Sequence, residues 1–186
     1  LRRVLGLRRA VVVSDAHGRE TDVVRRAVGR LSARQLTELA GRDSIVGISS
    51  SRALIAMGEQ IESLGNSTVV QLNGVLSSQT DGVGPVELVR DIAAKSSGRS
   101  RVFYAPFVTP TVASARDLRR DPTIHWAMAA FSRLDIAVVS VGLWDAGASG
   151  LYDSLTAKEC EELVQAGAIG EVCGAVLEVG VEDRSE

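Results

Sequence analysis

Short apolar runs rich in valine and isoleucine recur along this chain, separated by longer stretches with helical spacing. An apolar run of four to eight residues without polar alternation is typical of a strand buried on both faces, as in a parallel sheet. The runs predict strands at residues 10–13, 44–49, 68–72, 101–105 and 135–142, and a last one at 172–179.

Between these runs, apolar residues fall three or four positions apart, as on one face of a helix. The predicted helices cover residues 21–40, 50–64, 85–96, 122–134 and 156–166. We expect Thr21 or Asp22 to cap the first helix, Pro85 to open the third, and Thr156 with Glu159 to form a capping box. Alternating strands and helices predict an α/β fold in which a parallel sheet carries helices on both faces.

Length and composition limit the number of domains and the classes of partner. A chain of 186 residues suits one domain, and its net charge of -2 gives no general attraction to nucleic acid or membrane. No stretch is long and apolar enough for a membrane span or a signal peptide. Cys160 and Cys173 lack CxxC spacing, which favours reduced, partly buried thiols in a cytoplasmic protein over a disulfide or a reactive thiol.

Ligands of open parallel sheets bind beyond the carboxyl ends of the strands, so the residues after each strand are the candidates. The second strand runs through Ser49, Ser50, Ser51 and Arg52 directly into a helix. Hydroxyls, helical N–H groups and the helix dipole favour an anion there, and the guanidinium can add a bidentate contact. The alternative is an ordinary serine-capped helix with a solvated arginine.

Polar and small residues also follow other predicted strands. Asn73 and Gly74 come after the third strand, and Gly142 and Asp145 come at the end of the fifth and just beyond it. Glu171 lies in a glycine-rich segment. Carboxylates at such positions can accept hydrogen bonds from sugar hydroxyls. Each residue also has a simpler interpretation as a turn residue or a surface carboxylate.

Sequence motifs give no positive support for catalysis. The chain has no HExxH, GxSxG, Walker A or GxGxxG motif, and no metal site or cofactor is predicted. His17 and His125 are far apart in sequence, and His125 stands beside Trp126 on a predicted helix, which favours packing over catalysis. We therefore predict that the chain is not an enzyme.

Taken in order, the segments at the strand ends resemble the sugar-binding domain of the SorC family of bacterial transcription regulators. The segments that carry the resemblance are residues 47–52, 69–74, 87–90, 105–106, 135–142 and 167–174. They extend over nearly the whole chain. No single motif is specific to the family, so the resemblance depends on the order and spacing of the segments together.

This resemblance implies a Rossmann-like three-layer α/β fold with a mainly parallel sheet, related to sugar-phosphate isomerases and glucosamine-6-phosphate deaminase. It implies a phosphorylated sugar as effector, assembly into homodimers or homotetramers, and operator DNA as the partner of a separate N-terminal helix-turn-helix domain. In the family, the loop matching residues 49–52 holds the phosphate, and the positions matching Asn73, Gly74 and Glu171 lie near the sugar.

Two departures from the family pattern bear on the site. The family often has Gly-Gly-Thr-Thr or Trp-Gly-Arg-Thr where this chain has Ser-Ser-Arg-Ala at residues 50–53. The family also normally continues past the equivalent of residue 186, with a lysine that contacts ligand and a final helix. We therefore expect residues 1–186 to form one effector-binding domain that is incomplete relative to the family, with the helix-turn-helix domain outside this chain.

Three functions remain in competition on the sequence alone. A ligand-sensing regulatory domain is the favoured prediction. A sugar-phosphate isomerase or deaminase-like enzyme would need a carboxylate–histidine pair beside the phosphate loop, and no such pair is evident. An oligomerising module with a degenerate pocket is the third, because the serine loop differs from the family pattern.

Overall fold

The computed structural model describes residues 2–3, 6–13, 20–76 and 82–179. The helices described are α1 (Thr21–Leu39), α2 (Arg52–Gln60), α3 (Pro85–Lys95), α4 (Val112–Arg120), α5 (Pro122–Met128) and α6 (Ala157–Gln165). The strands are β1 (Ile45–Ile48), β2 (Thr68–Gln71), β3 (Arg99–Arg101), β4 (Ile136–Val138), β5 (Val141–Leu143), β6 (Ala168–Val172) and β7 (Ala175–Glu178). Short 3-10 helices occupy Phe131–Arg133 and Tyr152–Ser154.

A four-stranded parallel sheet in the order β3-β2-β1-β4 forms the centre of the fold. Its two inner strands are the most apolar, and Val46, Ile48, Val69 and Val70 are completely buried. Continuous apolar strands of this kind are stable only where both faces of a sheet are covered. The sheet therefore confirms the central prediction from the apolar runs.

Helices cover both faces of this sheet. On one face, the side chains of β1 and β2 pack into a single apolar core with α1, α2 and α3. That core contains Ala33, Leu36, Val46, Ile48, Leu54, Met57, Ile61, Leu64, Val69, Leu88, Val89, Ile92 and Ala93. At Gly29 of α1, a Cβ would lie 2.8 Å from the backbone carbonyl carbon of Ala56 in α2. Only glycine permits such close contact between these two helices.

The opposite face carries α5. Arg101 is paired with Val70 in the sheet register. The neighbouring residue Val69 belongs to the core with α1 to α3, so Val70 and Arg101 face the other side of the sheet. Its guanidinium lies 4.5 Å from the centre of the Trp126 ring on α5, and Nη1 donates to the Trp126 carbonyl oxygen. Strand side chains alternate between faces, so α5 lies across the sheet from the main core. The three-layer α/β fold is thus confirmed.

A second, antiparallel sheet in the order β5-β6-β7 was not expected from the sequence. The predicted strand 135–142 is divided between β4 and β5, which belong to different sheets. The predicted strand 172–179 is instead a hairpin whose first strand begins at Ala168. Cys173 and Gly174 have φ values of +51° and +90° at its two-residue turn, the backbone geometry that closes tight hairpins.

The predicted strand at residues 10–13 is wrong. These residues are irregular, and Val12 is 70% exposed. Instead of joining the sheet, the segment lines an apolar groove together with Val24 and Val28 of α1. A strand requires a neighbouring strand to which its backbone can hydrogen-bond. The periodicity of the sequence cannot show whether an apolar run has such a neighbour.

The predicted helices all exist, but several have different ends. α2 ends at Gln60, and α5 gives way after Met128 to a 3-10 turn. The predicted cap of α1 is wrong, because its N-cap is Glu20 and makes no side-chain cap bond. The Thr156–Glu159 capping box is confirmed. α4 was missed; it buries none of its residues completely, and apart from Val112 and Leu118 its side chains are small or charged.

Two further expectations concern cysteines and membrane spans. Cys160 is buried, Cys173 is half-buried, and both are free thiols. Among the described residues, no helix combines the length and apolar character needed to cross a membrane.

Candidate functional site

A cleft of about 530 Å³ opens where β1 and β2 end. Strands β5 and β6, with the turn of the β6–β7 hairpin, form its other side, which we call the hairpin side. Most of the predicted site residues line it. They are Ser49, Ser50, Ser51, Arg52, Asn73, Gly142 and Glu171. Gly74 and Asp145 are not among the lining residues. The chain thus brings together two groups that are far apart in sequence.

Residues 49–52, which we call the anion loop, join β1 to α2. The Ser49 N–H donates to the Val138 carbonyl oxygen at 3.0 Å, so the loop begins as a continuation of the sheet. Ser51 is the N-cap of α2, and its Oγ accepts from the Leu54 N–H at 3.2 Å. Ser49 Oγ and Ser50 Oγ are buried and have no hydrogen-bond partner within the described part of the chain. Buried hydroxyls normally have partners, so this pair is suited to a polar ligand.

Asn73, in the turn after β2, holds the anion loop in place. Its side chain is buried, and Oδ1 accepts from the Ser50 N–H at 2.7 Å. Its Nδ2 donates to the Gly74 carbonyl oxygen at 3.3 Å. The side chain therefore fixes the loop backbone at the floor of the cleft.

Arg52 and Arg25 place two guanidinium groups at the cleft. Arg52 is exposed, and its Nη2 donates to the Gly147 carbonyl oxygen at 2.6 Å. The Arg52 bond connects α2 to the segment after β5, within which the Gly147 N–H donates to Asp153 Oδ1 at 2.9 Å. Arg25 comes from α1 and forms an ion pair with Asp22.

The hairpin side of the cleft presents a carboxylate and a thiol. Glu171 lies opposite Gly142 in the antiparallel register, and its Oε2 accepts from the Gly174 N–H at 3.0 Å. A Cβ on Gly142 would lie 3.0 Å from Glu171 Oε1, so the glycine makes room for the carboxylate. Burial raises the pKa of the nearby Cys173 thiol, and the negative charge of Glu171 raises it further.

Two predicted site residues, Gly74 and Asp145, do not line this cleft, and both make close contacts within the chain. At Gly74, a Cβ would lie 2.5 Å from the Pro106 carbonyl oxygen, so this glycine permits a close crossing of two segments. Asp145 is exposed, and its Oδ1 accepts from the Ala146 N–H at 2.8 Å. These contacts agree with the interpretation of Asp145 as a turn residue, and its contact with a sugar stays a prediction.

The two histidines do not lie among the cleft residues that the structure describes. His125 is exposed on α5, which contradicts the expectation that it packs into the protein. Trp126, its neighbour, is also half exposed and lies against Arg101. His17 is outside the described residues.

Sequence reasoning missed several cleft residues. Arg25 and Asp153 belong to elements that were not considered as strand ends, and Phe107 and Ser140 carried no recognisable signal. Ser140 lies inside the predicted strand 135–142, so the strand-end rule did not reach it, and the structure places it between β4 and β5. Arg25 could not be found this way, because only the packing of α1 onto α2 places it at the cleft.

Comparison with known proteins identifies the family. A family described as "Putative sugar-binding domain" matches residues 1–179. The "Uncharacterized transcriptional regulator YjhU" of Escherichia coli K12 is 26% identical over 181 residues. That match covers 94% of this chain and 55% of the relative. This chain therefore spans about half the length of that relative.

Solved structures share the fold. The full-length sorbitol operon regulator SorC of Klebsiella pneumoniae has a TM-score of 0.82 and 20% identity, over 95% of this chain and 58% of SorC. A transcriptional regulator of Streptococcus pneumoniae TIGR4 has a TM-score of 0.84 and 19% identity, over 95% of this chain and 69% of that one. Together with the family match, these structures bear out the resemblance drawn from the strand-end segments. The chain belongs to the family described as the putative sugar-binding domain, and it shares its fold with regulators such as SorC.

Proposed function

We propose that this chain senses a phosphorylated sugar and thereby controls operator binding by a separate helix-turn-helix domain. The relatives named above are transcriptional regulators, and this chain corresponds to part of their length. A sensor of this kind would act in the cytoplasm as a homodimer or homotetramer, because paired half-sites in operators call for a symmetric protein.

The anion loop is the observation that carries the proposal. Ser49 Oγ and Ser50 Oγ are buried without a partner among the described residues, and they stand at the N-terminal end of α2. A helix N-terminus favours negative charge, and hydroxyl donors with a nearby guanidinium suit phosphate oxygens. Arg52 and Arg25 also line the cleft and supply positive charge to it.

The opposite side of the cleft suits the sugar portion. Glu171 has one oxygen bonded to the Gly174 N–H, and the other faces the space beside Gly142. A carboxylate oxygen accepts strongly from hydroxyl groups, and such contacts fix the orientation of a polyol. The cleft volume of about 530 Å³ lies within the range usual for small-molecule sites.

The cleft carboxylates are held in orientations that suit recognition. Glu171 and Asp153 each accept one backbone N–H bond, from Gly174 and Gly147 respectively. The second oxygen of each carboxylate can still accept from a sugar hydroxyl. Acceptors oriented in this way support a sensing role for the site.

Calorimetry on matched ligand pairs tests the proposal. We expect a hexose 6-phosphate to bind at least about a hundredfold more tightly than the same hexose, because charge-assisted contacts to phosphate add to the binding free energy. Inorganic phosphate should compete with the sugar phosphate. Equal affinity for the sugar and its phosphate would contradict the proposal.

A second experiment separates the sensor from an enzyme. Coupled isomerase and deaminase assays with the same sugar phosphates should stay at background. In filter binding at physiological salt, the isolated chain should show no sequence preference for DNA, because its net charge is only -2. Turnover that is abolished by Glu171→Gln would establish the enzyme alternative.

A further inference from the structure

Gln71 is a fully buried polar side chain at the end of β2, and it does not line the cleft. The parallel ladder between β2 and β3 stops one residue earlier, at the pair Val70 and Arg101. Beyond that pair, the side-chain amide of Gln71 replaces the ladder. Its Oε1 accepts from the Phe103 N–H at 3.1 Å, and its Nε2 donates to the Phe103 carbonyl oxygen at 3.0 Å.

The same amide makes a third hydrogen bond toward the cleft. Its Nε2 also donates to the Asn73 carbonyl oxygen at 2.9 Å, so both N–H groups of the amide are used. Asn73 in turn accepts from the Ser50 N–H through Oδ1 at 2.7 Å. A continuous path of hydrogen bonds thus runs from the backbone after β3, through Gln71 and Asn73, to the anion loop.

We propose that Gln71 is a positioning residue for the anion loop, which it holds in its ligand-binding geometry through Asn73. The inference rests on the proposed function only in assigning the loop to an anionic ligand. An amide has the donors and the acceptor to pair with both backbone groups of Phe103, and a third bond then fixes the turn that carries Asn73. Burial makes each of these bonds costly to lose, because no water can replace the missing partner.

The alternative is that Gln71 only provides hydrogen-bond partners for the backbone of Phe103 and so contributes to stability. The two roles differ in what happens at Ser50. If Gln71 contributes only to stability, its replacement should speed the hydrogen exchange of backbone N–H groups throughout the fold. A positioning residue would release the Ser50 N–H ahead of the core.

Hydrogen exchange in the full chain tests this directly without any ligand. In Gln71→Met, which keeps the length but removes the amide, we expect the Ser50 N–H to exchange about tenfold faster relative to the Val69 N–H. The milder Gln71→Asn keeps an amide but shortens its reach, and it should shift the ratio in the same direction. This second variant covers the case in which Gln71→Met does not fold.

Ser96→Ala is the matched control, because it removes buried hydrogen bonds away from the cleft. Ser96 Oγ accepts from the Leu64 N–H at 3.0 Å and donates to the Ile92 carbonyl oxygen at 2.7 Å. It should lower Tm without changing the exchange ratio of Ser50 to Val69. If Gln71→Asn and Gln71→Met leave that ratio unchanged, the inference is wrong.

Titration with inorganic phosphate, followed by NMR, links the inference to binding. We expect Gln71→Met or Gln71→Asn to weaken phosphate binding by about tenfold and Ser96→Ala to leave it unchanged. In an Asn73→Ala background, the Gln71 substitution should have no further effect on the exchange of the Ser50 N–H.

The two proposals can fail separately. If the wild-type chain fails to bind phosphate while the exchange ratio shifts, the proposed function fails and the positioning role remains. If phosphate binds equally to wild type and variants, the positioning role fails alone.

Discussion

The two sides of the cleft are built in different ways. The anion loop extends from the central sheet, where β1 and β2 are buried along almost their whole length. The hairpin side comes from the antiparallel sheet, whose outer strands are largely exposed, with Val141 at 73% and Leu143 at 63%. One side is therefore part of the core, and the other lies on the surface.

This difference means that one side of the cleft is rigid and the other side can vary in sequence. Backbone that is held by buried hydrogen bonds, as at Ser50 and Asn73, stays in place before a ligand arrives. A surface hairpin tolerates substitution with little effect on the core, because its side chains make few buried contacts. We infer that the anion is recognised by the fixed side and that selectivity among sugars resides on the hairpin side.

The largest expected effect tests the fixed side. Arg52→Ala should weaken binding of a hexose 6-phosphate by about ten- to a hundredfold, because a hydrogen bond to a charged group contributes roughly 1.5–3 kcal/mol. Binding of the unphosphorylated hexose should change little. Calorimetry on both ligands measures the difference.

Arg99→Ala is the matched control for loss of charge. Arg99 is also exposed but lies at the amino end of β3, at the other end of the sheet from the cleft. Arg52→Lys adds a second test, because it keeps the charge and loses the planar pair of donors. Unchanged affinity in Arg52→Ala would identify Arg52 as a solvated residue that only contacts Gly147.

The central part of the fold could be predicted because its signals are local. Apolar runs at β1 and β2 and the serine turn after β1 follow from residue type and spacing alone. The strand-end rule then located Ser49 and Asn73 at one edge, and the structure places both at the cleft. These positions follow from the parallel order of the strands.

The hairpin side could not be predicted in the same detail. Residues 135–142 were predicted as one strand, but the chain leaves the parallel sheet between β4 and β5. The single polar residue at that point, Ser140, is too common a residue within strands to mark a break. Gln71 also gave no signal, since its role depends on Phe103, far away in sequence. Arg25 likewise depends on helix packing. Long-range contacts of this kind are decided by tertiary structure and leave no local pattern.

A smaller effect is expected from Glu171→Gln on the hairpin side. The amide oxygen can still accept from the Gly174 N–H, so Tm should change little. Sugar-phosphate affinity should fall a few-fold, because a neutral acceptor bonds more weakly than a carboxylate. The loss should depend on which hexose is used, whereas the loss in Arg52→Ala should not.

The same variant has a readout that needs no ligand. The charge of Glu171 helps to raise the pKa of Cys173 above its ordinary value of 9.0, and burial is the larger cause. Removing that charge should lower the pKa of the thiol, so alkylation of Cys173 by iodoacetamide should set in at lower pH. It should still require alkaline pH, because burial remains. An unchanged alkylation profile would mean that Glu171 is too well screened to act on Cys173.

The smallest effect is expected at α6, the helix that packs against β6. Thr156→Ala removes the cap of α6, which packs against β6, and should lower Tm by about 2–4 °C. Sugar-phosphate binding should not change, because α6 does not line the cleft. Weaker binding in this variant would show that the geometry of the hairpin side depends on the layer outside it.

The pH dependence of that variant tests the cause. The backbone N–H and hydroxyl of Thr156 donate to Glu159 and hold the pKa of its carboxyl below the ordinary value of 4.5. A lowered folded pKa means that the carboxylate contributes stability above pH 4.5, which is lost as pH falls through the folded value. The Tm deficit of Thr156→Ala should therefore be smaller at pH 3 than at pH 7, when each is compared with wild type at the same pH. The part that persists as the carboxylate becomes protonated comes from the hydroxyl bond to the Glu159 N–H, which does not titrate. Equal deficits at both pH values would mean that the cap acts through this bond alone.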